Sequence, residues 1–257
     1  MSKLPENKRF LDISDYGRPL AQALVRSLSN TPVSSIQLTF AFLVAGMIAI
    51  GCILKQQFAL AALFLLVKNI LDAADGEMAR QKSHPSYTGR YLDSIFDFII
   101  NLGICCALYT ITNASLPIVL LAFFGLQFQC AICNYYYVIQ RNRVNGETTS
   151  RILEFKQPHA FPYEKQSVVN TLHTLFMALY GPLDYLVLQL DKKAVRIKEF
   201  PKWFLSLSSS LMLGFQLAMM AVFLLLDLAD WILPFFAFYS LWGLVVILIR
   251  KAVVQND

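Results

Sequence analysis

Four aspartates lie in two closely spaced pairs, Asp72 with Asp75 and Asp93 with Asp97. Residues three or four positions apart share one face of an α-helix, so each pair points in one direction if its segment is helical. The short polar stretch around 81–90 separates the two pairs. If it joins two antiparallel helices, we expect all four carboxylates to converge on one site.

Converging carboxylates repel one another, and a low dielectric strengthens that repulsion. A bound cation relieves it, and sites made only of oxygen ligands suit hard divalent ions such as Mg²⁺ or Mn²⁺. Such ions commonly serve phosphoryl transfer by holding diphosphate oxygens. The aspartates by themselves leave three interpretations open: a metal-dependent enzyme, a carboxylate-based cation transporter, and an ion-paired network that only holds helices together.

The residues beside the aspartates suit a nucleotide. Gly76 and Ala79 lack bulk, so a ligand can approach the helix closely. Arg80 offers a fork of donors that matches phosphate oxygens. Gly89 permits a tight entry into the second helix. These residue types favour the enzyme interpretation over the transporter, for which we would expect acidic residues near the middle of the bilayer.

The composition indicates a membrane protein. Hydrophobic residues make up 56% of the 257 residues and the mean hydropathy is +0.52. Charged residues make up 15%, against about 25% in soluble domains. The net charge of +5 comes from basic residues at the ends of apolar stretches, which fits contact with anionic lipid and excludes a nucleic-acid-binding face.

The apolar stretches predict an all-α protein with six transmembrane helices, since about 20 apolar residues span a bilayer. The second stretch ends in the polar run LDAADGEMAR, which must project from the membrane or line a wet cavity. The whole chain, 1–257, is predicted to be one domain. The predicted spans are 33–54, 57–80, 91–112, 115–138, 204–226 and 231–249.

The distribution of lysine and arginine predicts that both termini and the 81–90 loop are cytoplasmic. The first thirty residues have no early apolar core, so we expect the spans themselves to direct insertion. Within this arm, 1–30, Leu20, Leu24 and Leu28 recur at helical spacing beside Arg18 and Arg26. That pattern predicts an amphipathic helix on the cytoplasmic membrane surface.

The segment 141–202 is predicted to be a cytoplasmic loop. Its apolar part, 166–190, is interpreted as an interfacial or re-entrant helix broken at Pro182. One extra span here would place the lysine-rich 192–202 on the outer side, against the positive-inside rule. Cys130 and Cys133 form a C-x-x-C within an apolar stretch, where small apolar thiols are usually inert.

The aspartates and their neighbours carry a further signal. The chain is identified as a member of the CDP-alcohol phosphotransferase family, because it matches D-x-x-D-G-x-x-A-R, eight residues, then G-x-x-x-D-x-x-x-D at every fixed position. The resemblance implies a six-helix membrane bundle, often a homodimer, with a cavity open to the cytoplasm. It also implies an enzyme that transfers a substituted phosphate group, in a membrane such as the bacterial inner membrane.

The resemblance also implies roles for the motif residues. Three aspartates would ligate the divalent metal, Mg²⁺ or Mn²⁺ at two sites, and Asp97 would be the general base and a further ligand. An acceptor hydroxyl deprotonated by Asp97 would then attack the phosphorus farther from cytidine, releasing CMP. The implied metal ligands are Asp72, Asp75, Asp93 and Asp97, and the implied CDP contacts are Asp72, Gly76, Ala79, Arg80 and Gly89.

The motif does not name the alcohol. The donor is expected to be CDP-diacylglycerol and the acceptor inositol, inositol phosphate, glycerol phosphate or serine. In another branch of the family, CDP-choline or CDP-ethanolamine reacts with diacylglycerol. Lys68 is a candidate acceptor contact or a counter-ion, and Arg141 and Arg143 are candidate acceptor contacts or ordinary membrane anchors.

Overall fold

The computed structural model describes residues 4–144 and 152–254. These residues contain helices and turns but no strand, which confirms the all-α prediction. Short 3₁₀ turns lie at Glu6–Lys8, Lys192–Arg196 and Ser209–Leu211. The α-helices are α1 (Arg18–Leu28), α2 (Ser35–Leu54), α3 (Phe58–Gln81), α4 (Tyr87–Ile111), α5 (Leu116–Arg143), α6 (Gln166–Leu190), α7 (Lys202–Ser208), α8 (Leu213–Leu225) and α9 (Ala229–Val253).

Among the described residues, four helices are long and apolar enough to cross a membrane, namely α2, α4, α5 and α9. The predicted span 204–226 is two helices instead, α7 and α8, which are bent by 51° and would make a fifth span if counted together. These helices are those of an integral membrane protein. The six-span count stays a prediction, because the second half of α3 carries too many charges to pass as apolar.

Packing places α3 and α4 on opposite sides of a cavity. Both helices pack on α2, while α3 also packs on α8 and α4 also packs on α5 and α6. Ser86 is the N-cap of α4, because its hydroxyl accepts a hydrogen bond of 2.9 Å from the Gly89 N–H in the first turn. The loop 82–86 that joins α3 to α4 defines what is here called the motif end of the bundle.

The helix predicted at 166–190 is present as α6, but it is not broken at Pro182. It begins near the start of α4 and ends at Leu190, and the carbonyl of the next residue, Asp191, accepts a bond from the Tyr135 hydroxyl of α5. In between, Tyr180 donates to the carbonyl of Ser94 on α4. Packing on α4 and α5 on either side of the proline keeps the helix continuous despite the lost N–H.

The N-terminal arm forms α1, whose Ala21 and Val25 are buried against Ala74 and Met78 of α3. Its placement on a membrane surface stays a prediction. Residues 1–3 of the predicted arm, 145–151 of the predicted loop and 255–257 of the predicted domain lie outside the described residues. Before α1 the backbone passes α8 so closely that a Cβ on Gly214 would lie 2.0 Å from the Ser14 carbonyl oxygen.

Candidate active site

A cavity of about 580 Å³ opens between α3 and α4 towards the motif end. It is also lined by the N-terminal segment and by parts of α2, α5, α6 and α8. The structure therefore brings together every residue of the sequence motif. Those that line the cavity are Asp72, Asp75, Gly76, Ala79, Arg80, Gly89, Asp93 and Asp97.

Three of the four aspartates form a compact group. Asp72, Asp75 and Asp93 each bring one carboxylate oxygen to within 4.8 Å of the others. Asp75 also accepts a hydrogen bond of 2.7 Å from the Thr39 hydroxyl of α2, which orients it. Oδ1 of Asp93 is enclosed and has no hydrogen-bond partner among the described residues. An enclosed anionic oxygen without a donor, beside two further carboxylates, fits the ligand set of a divalent cation.

The fourth aspartate has a different partner. Lys68 is fully buried, and its ammonium lies 2.5 Å from Oδ2 of Asp72 and also contacts Oδ1 of Asp97. The ring of Phe42 lies 4.6 Å from the same nitrogen. Lys68 is therefore a counter-ion between the two pairs and does not itself line the cavity. Asp97 is positioned by this lysine, one helical turn beyond Asp93.

The two candidate arginines of α5 differ in position. Arg141 is buried and lines the cavity, with its guanidinium carbon 5.2 Å from the centre of the Tyr137 ring. Arg143 lies outside the cavity and donates to the carbonyl of Val195 at 2.7 Å. Only the first can meet a ligand in the cavity, while the second ties α5 to the turn after α6.

Sequence reasoning missed several residues of this cavity. Arg90 lines it and is held by an ion pair with Glu154, whose carboxylate also accepts a bond of 3.1 Å from the Tyr91 hydroxyl. His173 of α6 bonds to the carbonyl of Glu154 at 2.6 Å. No local pattern indicates these contacts, since 64 residues separate Arg90 from Glu154.

A second group, of which only Arg141 was predicted from the sequence as a candidate ligand contact, did leave a signal. Polar residues recur along one face of the apolar helix α5 and line the cavity, from Gln127 through Cys130 and Asn134 to Arg141. Their spacing of three, four and seven residues keeps them on one side of the helix. Polar side chains in one stripe of a membrane helix indicate a wet or ligand-bearing surface.

Comparison with known proteins agrees with this geometry. The family model described as CDP-alcohol phosphatidyltransferase matches residues 33–186, more than half of the chain, from the start of α2 through most of α6. No curated protein matches the sequence. The matched region holds all the motif residues and the cation-suited carboxylates. The chain therefore belongs to the CDP-alcohol phosphatidyltransferase family, whose members are transferases of phospholipid synthesis that use divalent cations.

Proposed function

We propose that this protein transfers a substituted phosphate group from a CDP-linked donor to an alcohol hydroxyl and releases CMP. We further propose CDP-diacylglycerol as the donor and a polar alcohol of the inositol, inositol phosphate, glycerol phosphate or serine type as the acceptor. The observation that supports this most is the lining of one cavity by all eight motif residues, with three carboxylates within 4.8 Å of one another.

Divalent metal is proposed to bind at the three grouped carboxylates of Asp72, Asp75 and Asp93. Asp97 lies one turn away on the same face of α4 and would complete a second site. Mg²⁺ and Mn²⁺ both suit such oxygen ligands. When bound, the ions neutralise the diphosphate and the charge that develops on departing CMP.

The CDP part is proposed to lie along the last turns of α3. Gly76 and Ala79 leave room there for a nucleotide against the helix, and both line the cavity. Arg80 lies on the same wall, where its side chain contacts Glu77 at 3.0 Å. Arg141 faces the cavity from α5 and would meet a substrate phosphate.

Asp97 is proposed as the general base. It would take the proton of the acceptor hydroxyl, whose oxygen then forms a bond to the phosphorus farther from cytidine. The bond from that phosphorus to the bridging oxygen breaks, and its electron pair leaves with CMP. An aliphatic hydroxyl is a poor nucleophile at neutral pH, so a positioned base accelerates this step. The contact with Lys68 fixes the carboxylate of Asp97 for this role.

We propose that six spans cross a membrane such as the bacterial inner membrane, with the motif end facing the cytoplasm. The six spans would be α2, α3, α4, α5, the pair α7 and α8, and α9. Basic residues at the motif end support this orientation, including Arg141, Arg143 and Arg250 at the ends of α5 and α9. A site at the membrane boundary lets the charged head of the donor meet metal while its acyl chains stay in lipid. In the same arrangement α1 and α6 would lie at the cytoplasmic interface, and two copies would form a homodimer.

Release of CMP tests the reaction. Purified protein in detergent is given Mg²⁺ or Mn²⁺, a CDP-linked donor and an alcohol, and CMP is separated and quantified. We expect CMP with CDP-diacylglycerol and one polar alcohol, and none after chelation of the metal. The donors also include CDP-choline and CDP-ethanolamine with diacylglycerol. The absence of CMP with every pair would reject the proposed reaction.

Two conservative variants test the role of the base. Asp97→Asn is expected to abolish turnover and leave CDP binding largely intact, because the amide cannot accept the proton. Asp75→Asn is the matched control and is expected to weaken CDP binding, since it removes a ligand of the metal that holds the diphosphate. Calorimetry with CDP and Mn²⁺ measures both. Equal loss of binding in the two variants would assign Asp97 a purely ligating role.

A further inference from the structure

The inner end of the cavity, beyond the aspartates as seen from the motif loop, carries three carboxamide side chains. Asn69 of α3 precedes Asp72 by three residues, and Asn101 of α4 follows Asp97 by four, so each lies about one turn deeper in the bundle. Gln127 of α5 lines the same cavity. These three residues are here called the carboxamide floor.

All three side chains are removed from bulk solvent. The exposed fractions are 8% for Asn69, 3% for Asn101 and 3% for Gln127. Nε2 of Gln127 is enclosed and has no hydrogen-bond partner within residues 4–144 and 152–254. A buried amide N–H without a partner is costly, and it is more costly where lipid surrounds the bundle. Gln127 therefore needs a partner from outside the described protein groups, in the cavity that Asn69 and Asn101 also line.

Neighbouring buried amides do not share this need. Gln216 of α8 donates to the side-chain oxygen of Gln129 at 3.0 Å and to the Leu126 carbonyl at 3.2 Å. Gln129, two residues after Gln127 on α5, donates to the Ser240 hydroxyl of α9 at 3.3 Å. Neither glutamine lines the cavity. The bundle thus satisfies the amides that join its helices and leaves Gln127 facing the cavity.

The chemistry of the floor selects its ligand. A carboxamide offers two donors and one acceptor, and a hydroxyl group both donates and accepts. Three carboxamides on three helices can therefore bond several hydroxyls of one molecule. The floor itself carries no cation that would prefer a phosphate, and no aromatic cage of the kind that binds a quaternary ammonium.

We infer that the carboxamide floor binds the acceptor alcohol, and that this acceptor is a polyol with at least two hydroxyl groups besides the one that reacts. The inference rests on the proposed function, because the reacting hydroxyl must reach Asp97, which lies between the floor and the metal-binding carboxylates. Asn101 shares a face of α4 with Asp97 and would hold a hydroxyl next to the reacting one.

An acceptor panel provides the first test. CMP release with CDP-diacylglycerol is compared for myo-inositol, glycerol, L-serine and ethanolamine, and for diacylglycerol with CDP-ethanolamine. The expected result is preference for myo-inositol, which has the most hydroxyl groups in the panel. Faster release with serine, ethanolamine or diacylglycerol would overturn the polyol assignment while leaving the proposed reaction intact.

Matched variants on α5 provide the second test. Gln127→Met keeps the size of the side chain but removes its hydrogen bonds, and should raise the acceptor KM about tenfold with the donor KM unchanged. Asn101→Leu is the second variant and should act in the same direction. The control Gln129→Met should lower the melting temperature, because it removes satisfied bonds, and leave the acceptor KM unchanged. An unchanged acceptor KM in both floor variants, or a raised donor KM instead, would overturn the inference.

A binding measurement separates the inference from the reaction. Thermal stabilisation of the full-length protein by myo-inositol, with Mg²⁺ and CMP present, needs no turnover. We expect stabilisation of the wild type that Gln127→Met removes and Gln129→Met retains. Such stabilisation without CMP release from any pair would reject the proposed reaction and keep a polyol site. No stabilisation, with CMP release from another acceptor, would reject the polyol site alone.

Discussion

Among the described residues, two of the buried charge clusters differ in their balance of positive and negative groups. The first joins Lys68 to Asp72 and Asp97 beside two further aspartates. The second joins Asp191 to Arg250, where Nε of the arginine donates to Oδ2 at 2.5 Å and the Tyr136 hydroxyl donates to the same oxygen at 2.9 Å. The first lines the cavity and the second does not.

The balance explains what each cluster does. Asp191 and Arg250 form one anion and one cation. The guanidinium contacts both carboxylate oxygens and the Tyr136 hydroxyl donates to one of them, so the charges of this cluster balance without a ligand. The first cluster sets four carboxylates against a single ammonium, and Oδ1 of Asp93 has no donor among the described residues. An excess of buried negative charge is stable only with a bound cation or with protonation. An unbalanced cluster on a cavity wall therefore indicates function, and a balanced one indicates structure.

The largest effect is expected from Asp93→Asn. This variant removes a proposed metal ligand, so turnover should fall by about 10³-fold, as when a key stabilising group is lost from an active site. The melting temperature without divalent metal should stay unchanged or rise, because one repelling charge is gone. CMP release and thermal unfolding in detergent measure the two quantities.

Asp191→Asn is the matched change in the balanced cluster and should give the opposite pattern. It leaves the buried guanidinium of Arg250 without an anionic partner, which lowers the free energy of unfolding by about 3–5 kcal/mol. Turnover per folded molecule should be preserved, since the cluster does not line the cavity. Loss of turnover without loss of stability would contradict the assignment of this cluster to structure.

Lys68→Met tests the comparison by removing the ammonium from the first cluster, which increases its excess of negative charge. Without the ammonium, Asp72 and Asp97 face each other uncompensated, and we expect a loss of about 3 kcal/mol in unfolding free energy in the absence of divalent metal. Added Mg²⁺ should restore part of it, because the cation replaces the missing charge. Thermal unfolding with and without Mg²⁺ measures both.

Lys82→Met is the control for that experiment. Lys82 donates to the carbonyls of Thr31 and Val33 at 2.8 Å and has no carboxylate among these partners. The melting temperature of the Lys82→Met variant should respond to Mg²⁺ as that of the wild type does. If the two lysine variants respond alike, the role of Lys68 as counter-ion of the aspartates is wrong.

The sequence predicted the parts of the site that depend on local spacing. The aspartate pairs share helix faces because of their three- and four-residue intervals, and apolar length predicted the helices that carry them. Contacts between distant segments could not be predicted, such as Glu154 with Arg90 or the backbone of Ser14 against Gly214. The continuity of α6 through Pro182 was also missed, because packing on both sides outweighs one lost hydrogen bond.

The smallest effect is expected at a carboxylate that is satisfied by neutral donors. Glu164 accepts bonds of 2.7 Å from the Thr88 N–H and 2.8 Å from the Ser86 hydroxyl, at the start of α4. Burial raises the pKa of Glu164, but these hydrogen bonds outweigh it and hold the pKa below its ordinary value of 4.5. The ionised carboxylate therefore stabilises the fold at neutral pH, and this contribution is lost as the pH falls through the lowered pKa.

Glu164→Gln should accordingly lower the free energy of unfolding at pH 7 by about 1 kcal/mol, as expected for a helix N-cap contact. The difference from the wild type should shrink below about pH 4, where the wild-type carboxylate gains its proton. Glu199→Gln, which breaks an exposed pair with Lys8, is the control and should change stability little at either pH. If the loss of unfolding free energy in Glu164→Gln stays the same at low pH, then the shape of the Glu164 side chain, and not its charge, matters at the start of α4. A loss that shrinks would show that neutral donors, a hydroxyl and backbone N–H groups, stabilise an ionised carboxylate here, whereas Oδ1 of Asp93 in the cavity has no such donor among the described residues.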